Sequence, residues 1–321
     1  MQSNAHVNFC HCTHCRDYQL RIYGGANGEK LTGNVASYLM RGVVRDISLR
    51  RHPARLSVRW VASGRYAYEI RGRNYVLEPG KFLLVADGEI YNSASDSKVI
   101  SESLTVSFDS RILTDVLNVS SEREEFLLDN PFGRRAKPET LFFTDLYQPE
   151  GEIKNLLDVF SARAKSAAHI DQTALDQTFY ELMERLVFLQ KQIRSEIRGI
   201  PSRKAATREE LYRRLRRARD FIRANSDQEL KIEEIARVAC LSPYHFLRTY
   251  KSSFGITPHQ ELLDVRLEKA RRLMNFEKNN FTLGRIAIES GFNNLSSFSK
   301  AFRQKFKIAP SLFESSDKPA E

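Results

Sequence analysis

Long apolar runs, paired cysteines and clustered histidines are what this 321-residue sequence lacks. No stretch approaches the ~18 apolar residues that a membrane-spanning helix needs. The first residues, MQSNAHVNFCHC, do not have the basic-then-apolar layout of a secretion signal. A cytoplasmic protein with no membrane partner is the expectation. Of four cysteines, three crowd into CHCTHC as Cys10, Cys12 and Cys15, with His11 and His14 between them. Thiolate and imidazole ligands at that spacing could hold zinc or copper(I). Structural zinc sites usually draw on two separated pairs, however, and no second pair exists here. The favoured reading is a flexible reduced tail over residues 1–18, with a metal or redox sensor as the alternative. The fourth, Cys240, sits among apolar neighbours and is expected to be buried.

The shortage of histidine excludes a class of enzyme. Between His14 and His169 the only histidine is His52. A metal-dependent β-barrel needs several histidines and a carboxylate on neighbouring strands, so this stretch is expected to be non-catalytic, with no cofactor. A barrel enzyme, with the rest of the chain as a binding tail, is the rival reading.

Charge is unevenly placed. Residues 1–201 carry 26 Lys and Arg against 25 Asp and Glu, whereas residues 202–318 carry 24 against 14. The formal net charge of +10 therefore belongs to the last third of the chain. A basic surface of this kind neutralises phosphates.

That last third also contains a duplication. Phe246, Tyr250, Lys251, Phe254 and Pro258 recur as Phe298, Phe302, Arg303, Phe306 and Pro310, and Ile235-Ala236 recurs as Ile286-Ala287. A repeat that keeps its apolar positions and shifts by one residue in a turn is a duplicated structural unit. Each copy reads as helix, tight turn, helix, the layout that places a second helix in the major groove of DNA. Ser242 is a natural N-cap and Pro243 suits the first helical position. Tyr244, Leu247, Arg248 and Lys251 then point away from the core side. Arg248 has the reach for guanine O6 and N7, and Lys251 lies where a phosphate would be.

Upstream, short alternating runs such as LSVRWVASG and RYAYEIRGRNYVLEPGKFLLVADGEIY predict antiparallel strands with turns at Gly72 and Glu78-Pro79-Gly80. A small barrel or sandwich follows, and a barrel of this size can enclose one ligand. Candidate pocket residues are Arg59, Trp60, Tyr66, Tyr68, Tyr75 and Tyr91, although strand alternation must point part of that set elsewhere. Residues 111–140 read as irregular or short helical connections. A helix then runs from about Asp171 to Ile197, with Leu175, Phe179, Leu182, Leu186, Leu189 and Ile193 at heptad steps. That stripe either packs on the barrel or forms a dimer seam, and the seam is the reading preferred.

Residues 208–313 resemble the DNA-binding domain of the AraC/XylS family of bacterial transcription regulators. The resemblance rests on Ser242–Lys251, on Phe254-Gly255-Ile256-Thr257-Pro258, on the helix Val265–Met274, and on Ile286-Ala287, Gly291-Phe292 and Phe298–Phe302. It implies base reading by Tyr244, Leu247 and Arg248 in the first copy and by Leu295, Ser296, Ser299 and Lys300 in the second. It implies backbone contacts at Lys251 and Arg303. The partners expected are promoter double-stranded DNA, a second copy in a homodimer through the 171–197 seam, and RNA polymerase if the protein is an activator. The effector would be a small molecule or a regulatory protein. The second copy departs from the family pattern where Lys307 replaces the glycine matched by Gly255, a turn where positive φ is expected.

The expected architecture is α+β: an N-terminal antiparallel cupin-like β-barrel with a helical segment, then an all-α domain with two helix-turn-helix motifs. Its parts are a tail at 1–18, the barrel at 19–145, helices at 146–200, a linker at 201–207, the DNA-binding domain at 208–314 and a tail at 315–321.

Overall fold

The computed structural model describes residues 19–23, 37–96, 98–121, 142–166, 172–276 and 281–315. The cysteines at 10, 12 and 15 lie outside these residues. The chain divides into two compact units, Met1–Ile193 and Arg194–Glu321.

Among the described residues the first unit has ten antiparallel strands: β1 (Gln19–Tyr23), β2 (Tyr38–Val44), β3 (Ser48–Pro53), β4 (Ser57–Ser63), β5 (Tyr66–Ile70), β6 (Arg73–Leu77), β7 (Phe82–Val85), β8 (Ile90–Ser95), β9 (Ser101–Ser107) and β10 (Asp145–Tyr147). They form a six-stranded sheet in the order β1-β2-β9-β4-β7-β10 and a four-stranded sheet in the order β3-β8-β5-β6. The expected rhythm is present, but among the described residues the strands make two sheets rather than one closed ladder. The turn between β5 and β6 shows how sequence sets register. Arg71 and Gly72 both have positive φ, 52° and 71°, as a two-residue hairpin loop whose twist matches its strands requires.

Alternation then sorts side chains between two faces. Tyr66, Tyr68 and Ile70 on β5, Tyr75 and Leu77 on β6, and Tyr91 on β8 join Val61, Leu83 and Val85 in one buried cluster between the sheets. The other face of the six-stranded sheet is covered by helices. These are α1 (Ser110–Ser121), α2 (Gly151–Lys165) and α3 (Gln172–Gly199), of which the last belongs to this unit up to Ile193. The twelve-residue α1 lies at the start of the region read as irregular or short helical connections. The ring of Phe179 on α3 packs against Phe108 and Phe160 at centroid distances of 6.2 and 5.3 Å. Further along, the fully buried Gln190 accepts from the Phe143 N–H at 2.7 Å and donates to the Tyr147 hydroxyl at 3.3 Å.

This arrangement corrects the dimer-seam expectation. Leu175, Phe179, Leu182 and Leu186 are all fully buried by the chain itself. Their heptad spacing records packing within one protomer, so the same stripe cannot also be the face between two.

The second unit is all-helical. It comprises the end of α3, then α4 (Ala205–Ala224), α5 (Ile232–Val238), α6 (Pro243–Phe254), α7 (Pro258–Phe276), α8 (Leu283–Glu289), α9 (Leu295–Phe306) and α10 (Pro310–Ser315). The segment expected as linker is shorter than its composition suggests. Ile200 is buried and α4 already begins at Ala205, because an apolar residue next to a helix gains more from the core than from water. Two helix-turn-helix units follow, α5–α6 and α8–α9, joined by α7.

Candidate nucleic-acid interface

Each recognition helix is held on its apolar side and presents the other. In α6, Phe246 and Tyr250 are fully buried, and Phe298 and Phe302 are their counterparts in α9. The apolar positions recur at helical spacing, which leaves the opposite arc free. The N-terminus of α6 is fixed by Ser242, whose hydroxyl accepts from the His245 N–H, and by Pro243 in the first turn. Asn294 does the same for α9, accepting from the Ser297 N–H at 2.8 Å.

The arc left free is where the sequence placed the contact residues. Tyr244 and Leu247 are 77% and 41% exposed, and Arg248 and Lys251 are exposed too. On α9, Leu295, Ser296, Lys300 and Arg303 are exposed, and Ser299 is half-buried. The equivalent pairs are Tyr244 with Ser296, Leu247 with Ser299, Arg248 with Lys300 and Lys251 with Arg303. Among the described residues none of these four cations has an ion-pair partner. Other cations of the unit are engaged: Lys305 holds Asp264 at 2.8 Å and Arg271 holds Glu268 at 3.0 Å. Uncompensated cations on the outward rows favour binding of phosphate and base edges. His245 and Gln304 are also exposed, on the flanks of these rows, as projection of each helix onto its 3.6-residue period gives.

The helix α7 ties the two units together. Toward the first it supplies Glu261, only 3% exposed, whose carboxylate accepts from the Tyr250 hydroxyl and from Arg219 Nε, both at 2.6 Å, and from Arg223 Nε at 3.2 Å. Burial beside this carboxylate pushes the Tyr250 phenol far up, so it stays protonated and donates. Burial disfavours the Arg219 cation, but the hydrogen bond and charge of Glu261 outweigh that and raise it. Toward the second unit α7 supplies Leu267, Ala270 and Met274 to a core with Ile286, Ala287, Phe292, Phe298 and Phe302. Arg266 donates to the carbonyls of Ser226 and Gln228, both at 2.7 Å, and so clamps the α4–α5 turn.

Both turns need the left-handed backbone. In the first, Cys240 has φ 52° and is exposed, which corrects the expectation that it is buried. Its place at the end of α5 turns its side chain outward, while Ala239 takes the core position. In the second, Gly291 has φ 91°, and a Cβ there would lie 2.5 Å from the Ser226 carbonyl oxygen and 2.9 Å from Arg266 Nε. The recognition helices end on Gly255 (φ 75°) and Lys307 (φ 63°), the latter a positive-φ side chain as expected from the sequence.

The candidate ligand residues divide. Arg59, Tyr66, Tyr68 and Tyr91 converge between the sheets, with Arg59 4.1 Å from the Tyr91 ring centroid and 5.3 Å from that of Tyr68. Tyr75 lies in the same cluster, its hydroxyl donating to the Thr144 carbonyl at 3.4 Å. Trp60 does not join them. Next to Arg59 in β4 it faces the helices, and its indole N–H donates to Ser161 Oγ on α2 at 3.0 Å. Among the described residues no group of three His, Cys, Asp or Glu could hold a metal ion, and no helix is long and apolar enough to cross a membrane.

Residues 235–316 match the helix-turn-helix domain family. The chain is 33% identical over 95 residues to the probable transcriptional regulator LumQ of Photobacterium leiognathi, covering 30% of this chain and 38% of LumQ. It is 29% identical over 100 residues to the regulatory protein PocR of Salmonella typhimurium, covering 31% of this chain and 32% of PocR. The match thus spans about a third of the length of these curated relatives. A solved structure, the C-terminal domain of the response regulator AraT from Geobacillus stearothermophilus, is 28% identical with a TM-score of 0.31, covering 34% of this chain and 88% of that domain. The duplicated motif and the capped recognition helices agree with the family match: residues 235–316 form a helix-turn-helix domain of the AraC type.

Proposed function

We propose that this protein is a one-component transcription regulator that reads two successive major grooves on one face of promoter DNA. The observation that carries the reading is the pair of equivalent exposed rows on α6 and α9, each with two unpaired cations. Two recognition helices joined through one helix fit half-sites about one helical turn apart, roughly 10 base pairs. Tyr244, Leu247 and Arg248 read bases in the first groove, and Leu295, Ser296, Ser299 and Lys300 meet the second. Lys251 and Arg303 hold the backbone. The first unit is the sensor, with Arg59, Tyr66, Tyr68, Tyr75 and Tyr91 as its interior. An effector there changes DNA binding only if it favours one arrangement of the protein over another.

Mapping of occupied genomic sites followed by footprinting tests the reading. Recovery of a bipartite sequence with halves about 10 base pairs apart is expected. Binding with no sequence preference, or a footprint covering a single half-site, overturns it.

A further inference from the structure

The space between the two sheets is more polar than a structural core requires. On β4, Ser57, Arg59 and Val61 share one face, opposite to Val58 and Trp60. Across the ladder Ser57 pairs with Ser107, Arg59 with Thr105, and Val61 with Ser103, and directly paired residues project to the same face. Ser57 and Ser107 are each 1% exposed, and Arg59 is 7% exposed. From the other sheet come Tyr66, Tyr68 and Tyr91, with Ser93 also buried.

This group is charged and incompletely paired. Among the described residues Arg59 has no carboxylate partner; its contacts are the Ser57 hydroxyl at 3.3 Å and the rings and phenols of Tyr91 and Tyr68. Burial disfavours its cation, but Tyr91 and Tyr68 outweigh that, so it stays charged. Burial also pushes the phenols of Tyr66 and Tyr68 up, so they remain neutral and do not balance it. Opposite Ser57 on the neighbouring strand, the buried Ser107 hydroxyl has no hydrogen-bond partner among the described residues. A buried cation with no counter-charge, next to an orphaned hydroxyl, is costly unless something else completes both.

We propose that a small organic monocarboxylate binds between the sheets, its carboxylate on Arg59 and the Ser107 hydroxyl and its apolar body against Tyr66, Tyr68 and Tyr91. One guanidinium offers a forked donor that matches one carboxylate, and the tyrosine faces supply the flat apolar wall that such sites use. This deepens the sensor reading and rests on it.

The test measures thermal unfolding of the full chain with butyrate and phenylacetate, against butyramide, phenylacetamide and equal sodium chloride. The proposal expects a saturable rise in Tm of at least about 3 °C with a carboxylate over its amide. Arg59→Met abolishes the rise, and Ser107→Ala weakens it about tenfold in half-saturating concentration. Without ligand, Arg59→Met melts no lower than wild type, because it removes an uncompensated buried charge. The proposal is overturned if both carboxylates act like sodium chloride, if Arg59→Met keeps the rise, or if that variant alone melts several degrees lower, which marks a structural arginine. A carboxylate that raises Tm yet leaves operator affinity unchanged keeps the site and removes the sensor reading.

Discussion

The two helix-turn-helix units share a backbone but are held by different chemistry. In the first, Tyr250 on the recognition helix donates to Glu261 of α7, which also binds Arg219 and Arg223. Fifty-two residues on, the equivalents are Phe302 and Phe313, whose rings pack edge-on at 5.6 Å. A buried polar network in one copy is thus replaced by an aromatic pair in the other. Their left-handed positions are exchanged as well. The first copy has Cys240 in its turn and Gly255 at its end, whereas the second has Gly291 in its turn and Lys307 at its end. Each copy keeps one glycine and one strained side chain. The duplicated fold takes positive φ at both points, and crowding demands glycine only at Gly291; a Cβ at Gly255 would meet nothing within 4 Å.

The contrast can be broken first at the two polar and crowded points. Glu261→Ala removes the buried carboxylate shared by Arg219, Arg223 and the Tyr250 hydroxyl and is expected to cost about 3–5 kcal/mol; Phe313→Ala, at a half-buried ring, is expected to cost about 1–3 kcal/mol. Urea unfolding of the two variants ranks them, and equal losses would erase the distinction. Gly291→Ala is expected to cost about 2–4 kcal/mol, since left-handed strain adds to a Cβ only 2.5 Å from the Ser226 oxygen. At Gly255, where a Cβ meets nothing within 4 Å, alanine should cost about 1 kcal/mol.

On the DNA side, Arg248→Ala is expected to lose about 1–3 kcal/mol of binding and to relax preference at one base pair. Lys300→Ala should weaken binding more evenly across sequences, because the residues around it, Ser296 and Ser299, offer little base discrimination. Competition binding against single-base operator variants measures both; equal relaxation from the two would make the copies equivalent readers. The smallest effects are stabilising. Lys307→Gly and Cys240→Gly relieve left-handed strain and should each raise stability by about 0.5–1 kcal/mol, seen as a small rise in Tm.

Much of the outward face of the two recognition helices was legible in the sequence. Phe246, Tyr250, Phe298 and Phe302 sit at helical spacing, so the core side follows from period alone, and with it the outward row from Tyr244 to Lys251. Lys307 at positive φ was legible too, through its match to Gly255. The dimer seam was misread because Leu175, Phe179, Leu182 and Leu186 make the same heptad pattern whether their partner is a second copy or the Phe108 and Phe160 of their own chain. Trp60 was placed with Arg59 in the ligand set although adjacent strand residues face opposite ways. Cys240 was taken as buried because apolar neighbours in sequence were read as neighbours in space.

The sequence by itself determined the duplication, the segregation of +10 of charge onto one third of the chain, and the strand rhythm of the first half. All of these are local in the chain, set by period, capping and composition. Only the tertiary structure decided that Glu261 closes on Tyr250, that Arg266 holds the Ser226 and Gln228 carbonyls, and that Arg59 is enclosed by Tyr68 and Tyr91 with no carboxylate partner among the described residues. Those partners are 11 to 40 residues apart or on separate sheets, and no spacing rule relates them. Burial makes each of them matter, because the dielectric is low where water has been removed.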